Sequence, residues 1–255
     1  MTKNYCKAAC LAIGMLLFSC ASEDIMEEAP KQTNATATNN TSEMSRNTTS
    51  RIPVSTLKTW NFNDLNEWED ATQVGVPNYF AENGILKMFT NANTWDRTKV
   101  KSVATYAAGT YSWRVYVPEM GVGDCASIGA FLYNDDTHEL DFEIGYGNQA
   151  IRQELNAASD ELIVYMTSQG NPFYSFQHKI KRAQWYTLSI TLALNNKKKY
   201  VATWKIDNQI LTTKTLTYGT QTKFKIFCSV ENLSFIGDHI PTTQNYALFD
   251  WVEFK

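Results

Sequence analysis

The chain has 255 residues, 44% hydrophobic and 13% aromatic, with a formal charge of −3. That is enough apolar material for one substantial core once a leader is set aside. Lysine and arginine are scattered apart from Lys197-Lys198-Lys199, read as a solvated turn, so the basic surface that nucleic-acid binding requires is missing.

At the N-terminus, Lys3 and Lys7 form a positive region and Ala8 to Phe18 an apolar one, too short for a permanent transmembrane helix. Leu17-Phe18-Ser19-Cys20 resembles the lipobox of bacterial lipoproteins, which implies a signal peptide over 1–19 and lipidation of Cys20. An ordinary secretory signal cut near Ala21 is the alternative. Ser22-Glu23-Asp24 and Glu27-Glu28 resemble the surface-export signal of Bacteroidetes lipoproteins, implying a cell-surface protein tethered to the outer membrane, with the side it faces left open. Residues 30–52 are dominated by Thr, Asn and Ser and read as a disordered tether, so 20–52 lead into a single domain over 53–255. Cys6 and Cys10 leave with the leader. Cys125 and Cys228 remain in the domain, read as two buried free thiols with a disulfide as the alternative.

From residue 56 onward short alternating runs are split by Gly, Asn and Asp, and no helical periodicity lasts beyond about two turns. The pattern predicts strands over 57–62, 85–89, 110–117, 126–133, 138–144, 151–155, 161–167, 185–194, 199–206, 224–230 and 248–254. Trp68 is expected in a loop, and Tyr146-Gly147-Asn148 is expected to close a hairpin onto 151–155. Turn signals at Asn83-Gly84, Asn134-Asp135-Asp136 and Asn195-Asn196 separate the others. So many short strands in roughly 200 residues define an all-β, two-sheet sandwich or jelly roll.

One predicted strand carries chemistry. In His138-Glu139-Leu140-Asp141-Phe142-Glu143-Ile144 three acids alternate with three apolar residues, so a strand places Glu139, Asp141 and Glu143 on one face. Like charges at i, i+2 and i+4 repel, a cost that protonation or chemistry can use. The α-carbons of Glu139 and Glu143 lie roughly 13 Å apart on an extended strand, and leaning side chains bring the carboxyls to about 5–6 Å, a separation that suits a retaining glycosidase. One carboxylate then attacks the anomeric carbon, the other protonates the leaving oxygen and activates water, and Asp141 tunes its neighbours. The competing reading is an acidic strand that simply faces solvent. The three histidines, His138, His178 and His239, form no HxH or HxxxH pattern, and no cysteine pair has metal-ligand spacing.

Several motifs in order resemble glycoside hydrolase family 16. Glu139-Leu140-Asp141-Phe142-Glu143 resembles its E-x-D-x-E signature, and Asn83-Gly84-Ile85-Leu86 its early strand. Gly109 to Pro118 resembles its G-x-y-x-x-R-x-x-x-P strand, Trp204 to Asn208 its y-V-D-G segment and Phe249 to Phe254 its closing strand. The resemblance spans about residues 57–255 and implies a concanavalin A-like β-jelly roll whose concave sheet holds a polysaccharide. It implies Glu139 as nucleophile, Glu143 as general acid/base and Asp141 as helper. It also implies a glucan or galactan substrate, no cofactor for the chemistry, and room for a structural calcium on the convex side. In Gly129-Ala130-Phe131-Leu132, Leu132 stands where the family usually has a platform tryptophan, so a cleft short of that aromatic face is expected.

Further substrate contacts are expected from Arg114 and Tyr116, which share a face of strand 110–117, from Trp95 in the polar loop 91–97, and from Tyr133. Tyr146, Phe173 and Tyr174 are weaker candidates, while Trp60, Trp185 and Trp251 are expected in the core. The sequence therefore predicts a monomeric, surface-anchored polysaccharide hydrolase. A non-catalytic glycan binder of the same fold and a polysaccharide lyase, which would need a Tyr/His base pair, are the alternatives.

Overall fold

The computed structural model describes residues 57–255; the leader, Cys20 and the tether lie outside the described residues. The elements in chain order are β1 (Lys58–Trp60), β2 (Trp68–Asp70), β3 (Tyr79–Glu82), β4 (Ile85–Thr90), β5 (Arg97–Ser102), β6 (Gly109–Val117), β7 (Ala126–Asp135) and β8 (His138–Gly145). After these come α1 (Gln149–Glu154), β9 (Glu161–Ser168), β10 (Tyr174–Lys181), β11 (Gln184–Leu194), β12 (Tyr200–Ile206), β13 (Gln209–Thr215), β14 (Lys225–Asn232) and β15 (Asn245–Phe254). They form two antiparallel sheets. One runs β13-β12-β11-β6-β15-β4-β3, with β1 added along β15, and the other runs β10-β9-β8-β7-β14-β5-β2. The acidic strand β8 thus lies inside the seven-stranded sheet, paired with β7 on one side and β9 on the other.

Alternation turns one face of each sheet inward. Trp113, Leu188, Ile190, Trp204 and Phe249 of the first sheet meet Ile128, Leu140, Phe142, Ile144 and Val164 of the second in one core. Each such side chain stabilises the fold by about 1.5–3 kcal/mol on burial. Two indoles cross between the layers. Trp204 Nε1 donates to the Asp141 carbonyl at 3.0 Å and Trp113 Nε1 to the Phe227 carbonyl at 3.1 Å, so the first sheet holds the backbone of the second directly beneath two of its outward-facing residues.

The structure departs from the sequence pattern at identifiable points. Residues 149–154 form α1 rather than a strand, because the Asn148 side chain accepts from the Ile151 N–H at 3.0 Å and caps the turn. Arg152 then satisfies the Tyr146, Ala158 and Glu161 carbonyls, which ties the short helix to its surroundings. Trp68 begins β2 rather than lying in a loop, and β3, β5, β10 and β13 have no counterpart among the expected strands. Of Trp60, Trp185 and Trp251 only Trp60 is buried; the other two are half-exposed. Cys125 and Cys228 are buried and unpaired. Among the described residues no helix is long and apolar enough to cross a membrane.

Candidate active site

Leu140, Phe142 and Ile144 point into the core, which leaves Glu139, Asp141 and Glu143 together on the outer face of the seven-stranded sheet. Along β7 they stand opposite Tyr133, Phe131 and Gly129 respectively, while on β9 Asp141 faces Thr167 and Glu143 faces Tyr165. A side chain at Gly129 would collide with Ser229 Oγ and crowd Glu143 Oε1. Glycine there lets Glu143 lean over β7 toward β14.

The three acids differ in surroundings. Asp141 is buried; its Oδ2 accepts from Gln169 Nε2 at 2.6 Å and its Oδ1 has no partner among the described residues. Burial pushes its carboxyl well above the ordinary range, and the charges of Glu139 and Glu143 push further. A protonated Asp141 can donate toward Glu139, which helps to keep Glu139 ionised. Glu139 itself is half-buried. Burial raises its pKa to about 6, opposed by the Lys99 ammonium and by Asp141. Glu143 accepts from Ser127 Oγ. Burial, followed by the nearby Glu231 carboxylate, pushes Glu143 up to about 8, against the Ser127 bond and Lys99. Two glutamates of one strand are thereby separated into a more acidic and a less acidic group, the arrangement that nucleophile and proton donor need.

Glu231 on β14 is the fourth carboxylate of this face, with its side chain only 2% exposed. It accepts from Arg97 Nε at 2.7 Å and lies 2.9 Å from Lys99 Nζ, whose side chain is 8% exposed and stands over the Phe131 ring. Glu231→Gln leaves a buried lysine without its counter-charge, and we expect a loss of about 3 kcal/mol in denaturant unfolding. Removing that negative neighbour also favours ionised Glu143, so the alkaline limb of any activity profile moves to lower pH. An unchanged limb would show that Glu231 does not act on Glu143.

Two cavities flank the acids. One of about 490 Å³ is lined by Glu139, Asp136, Tyr133, Phe131, Phe227, Arg97, Lys99 and Lys101, with Ala71, Thr72 and Gln73 at its edge. The other, of about 410 Å³, is lined by Asp141, Glu143, Tyr165, Gln169 and Gln177 together with the exposed rings of Phe173 and Phe235. A third, of about 480 Å³ around Tyr146 and Arg152, contains none of the three acids.

Tyr133 therefore lies beside Glu139, its hydroxyl donating to Asp136 at 2.8 Å. Trp95 is 48% exposed in the loop between β4 and β5, two residues before Arg97. Arg114 and Tyr116 do not join the site. They do share a face of β6, as alternation requires, but β6 belongs to the eight-stranded sheet and that face points away from the acids. Arg114 instead stacks on Trp185 and approaches Asp207, and Tyr116 packs against Trp185. Leu132 is also corrected. It is buried opposite Leu140 in the core, so it does not face the cleft at all, and the ring between the acids and β14 is Phe131, itself buried and stacked on Phe227 at 4.6 Å and 16°. Sequence reasoning missed Lys99, Glu231, Phe227 and Gln169, although the alternation Arg97, Lys99, Lys101 was there to be read. Among the described residues no group of three or more His, Cys, Asp or Glu side chains is placed to hold a metal ion.

No protein-family model matches the sequence, and no curated protein does. The fold has clear likenesses. A β-glucanase of Bacillus licheniformis aligns with TM-score 0.56 at 17% identity, over 79% of this chain and 99% of that one. The catalytic domain of an endo-1,3-β-glucanase (laminarinase) from Thermotoga petrophila aligns with TM-score 0.55 at 14% identity, over 79% and 98%. The Crh5 transglycosylase in complex with NAG aligns with TM-score 0.56 at 14% identity, over 79% and 84%. The described domain is thus an all-β, two-sheet antiparallel sandwich of the concanavalin A-like jelly-roll class, matching the structures of glycoside hydrolase family 16.

Proposed function

We propose that the protein is a retaining glycoside hydrolase that cleaves β-glycosidic bonds of a polysaccharide of glucan or galactan type. The observation that carries this reading is the row Glu139, Asp141, Glu143 on the outward face of one sheet, with a cavity on either side and different proton affinities along the row. Glu139, the more acidic glutamate, attacks the anomeric carbon. Glu143 donates its proton to the leaving oxygen and then takes one from water, which releases the sugar from Glu139. Asp141 supports the ionised nucleophile. No step calls for a metal or organic cofactor. The fold neighbours, glucanases and a transglycosylase, give the reading its context. We further propose that the protein acts as a monomer at the cell surface, anchored to the outer membrane through lipid on Cys20; loss of lipid labelling in Cys20→Ala would support the anchor, and its persistence would refute it.

The test is purified protein on a panel of β-glucans and galactans, with products analysed by size and anomer. Shorter chains with retained configuration are expected. Longer chains would indicate transfer to a sugar acceptor, binding without cleavage would indicate a glycan-binding protein, and unsaturated products absorbing in the near ultraviolet a lyase.

A further inference from the structure

The cavity beside Glu139 is unusually rich in cations for a sheet face built around three acids. Strand β5 contributes Arg97, Lys99 and Lys101, which stand opposite Glu231, Ser229 and Phe227 of β14. Lys225 of β14, opposite Tyr133, lies beyond the cavity lining and donates to the Val103 carbonyl. Only two carboxylates are shared among these four cations. Glu231 is held between Arg97 and Lys99 at 2.7 and 2.9 Å, and Glu69 between Lys225 and Lys101 at 3.2 and 3.6 Å. Each trio retains one positive charge. Arg97 and Lys101 keep 35% and 31% of their side chains open to solvent, so they have donors left to offer. The remaining acids of the cavity, Asp136 and Glu139, belong to the turn before β8 and to β8 itself, so their backbones lie three strands from β5, roughly 14 Å at ordinary strand spacing, and Lys99, which reaches over Phe131, is the cation that acts on Glu139.

Across four strands one row reads Asp141, Phe131, Phe227, Lys101. A chain laid along it from the acids would cross above Phe131 and Phe227, which are buried at 3% and 7% exposure with Lys99 over the first ring, and then reach a cation. We propose that this arm of the site takes a glycan carrying an anionic substituent, a sulfate ester or a carboxylate, bound by Lys101 and Arg97 away from the bond to be cut. The inference rests on the glycan-site reading above. Charge-assisted bonds from arginine and lysine are the ordinary way to hold such a group, and Gln73 at the cavity edge offers an uncharged donor beside them. With a chain charge of −3 a polyanion gains nothing from the protein as a whole, so its attraction must be local.

The test measures binding rather than turnover, using the full chain with Glu139→Gln so that substrate is not consumed. Calorimetric titrations with a neutral galactan, its sulfated counterpart, a neutral glucan and a uronic-acid polysaccharide are compared at low and high salt. At low salt an anionic glycan is expected to bind about tenfold more tightly than the neutral counterpart, a preference that high salt erodes. Lys101→Gln, or Arg97→Gln should the first variant misfold, is expected to remove most of that preference. Lys197→Gln with Lys198→Gln, in the turn between β11 and β12 of the other sheet, is expected to keep it. A preference for sulfate alone or for carboxylate alone identifies the group and supports the proposal. Equal or tighter binding of neutral glycans, no binding of any anionic one, or a preference that survives Lys101→Gln in folded protein overturns it. Cleavage of neutral chains without anionic preference would sink this inference alone, whereas anionic binding without cleavage would sink the hydrolase reading alone.

Discussion

Replacing Glu139 by alanine is expected to lower kcat by about 10⁴-fold or more, because the first covalent step then has no nucleophile. Glu143→Ala should be comparably damaging on polysaccharide, where the leaving sugar needs a proton, and milder on substrates whose leaving group departs without one. Azide separates the two roles. In Glu139→Ala the anion fits the vacated space and attacks the substrate directly, giving the inverted glycosyl azide. In Glu143→Ala the glycosyl–Glu139 ester still forms, and azide attacking it gives the retained anomer. Magnetic resonance of the product distinguishes the two; the same anomer from both variants, or near-normal activity in either, would refute the assignment. The wild-type profile follows from the same two groups. Activity needs Glu139 ionised and Glu143 protonated, so it falls below about pH 6 and above about pH 8. In Glu143→Ala the alkaline limb should disappear.

The part of this site that sequence could show is the part that is local. On β8 charge and apolar character alternate without interruption, so both the strand and the grouping of its acids follow from a two-residue period. Strand β6 shows the limit of that logic. Arg114 and Tyr116 share a face, but the pattern says nothing about which sheet the strand joins, and pairing with β11 and β15 places that face on the far side of the molecule. Strand β5 lacks a hydrophobic signal for a different reason, and only its alternating cations mark it. Arg97, Lys99 and Lys101 alternate with Thr98, Val100 and Ser102, so its inward face carries a single large apolar residue and no hydrophobic period results. Yet β5 brings the cations to the site. Glu231 lies 134 residues from Arg97, a partnership created only when β14 settles between β7 and β5. At α1 a run of five residues fits strand or helix equally, and the capping bond from Asn148 decides it.

Glu143→Gln should abolish activity and yet stabilise the protein at pH 8, more than it does at pH 5. Glu143 has a folded-state pKa near 8 against an ordinary glutamate value of 4.5. The native state therefore holds this proton more tightly than the unfolded chain does. Its stabilising effect is complete below the ordinary value and disappears as pH climbs through the folded one. Each unit of that difference corresponds to about 1.4 kcal/mol, but the half-buried carboxyl lines an open cavity, so a gain of roughly 2–3 kcal/mol at pH 8 is expected. For a domain of this size that is about 5–10 °C in Tm. Asp141→Asn should act in the same direction, since Asp141 is buried and also raised, and the amide can still accept from Gln169. Scanning calorimetry at both pH values decides the matter: a variant that is no more stable than wild type at pH 8, or whose gain is the same at pH 5, would mean that Glu143 titrates as an ordinary surface acid. Such a glutamate would be ionised at neutral pH and could not protonate a leaving sugar, so this stability measurement bears on the chemistry before any substrate is known.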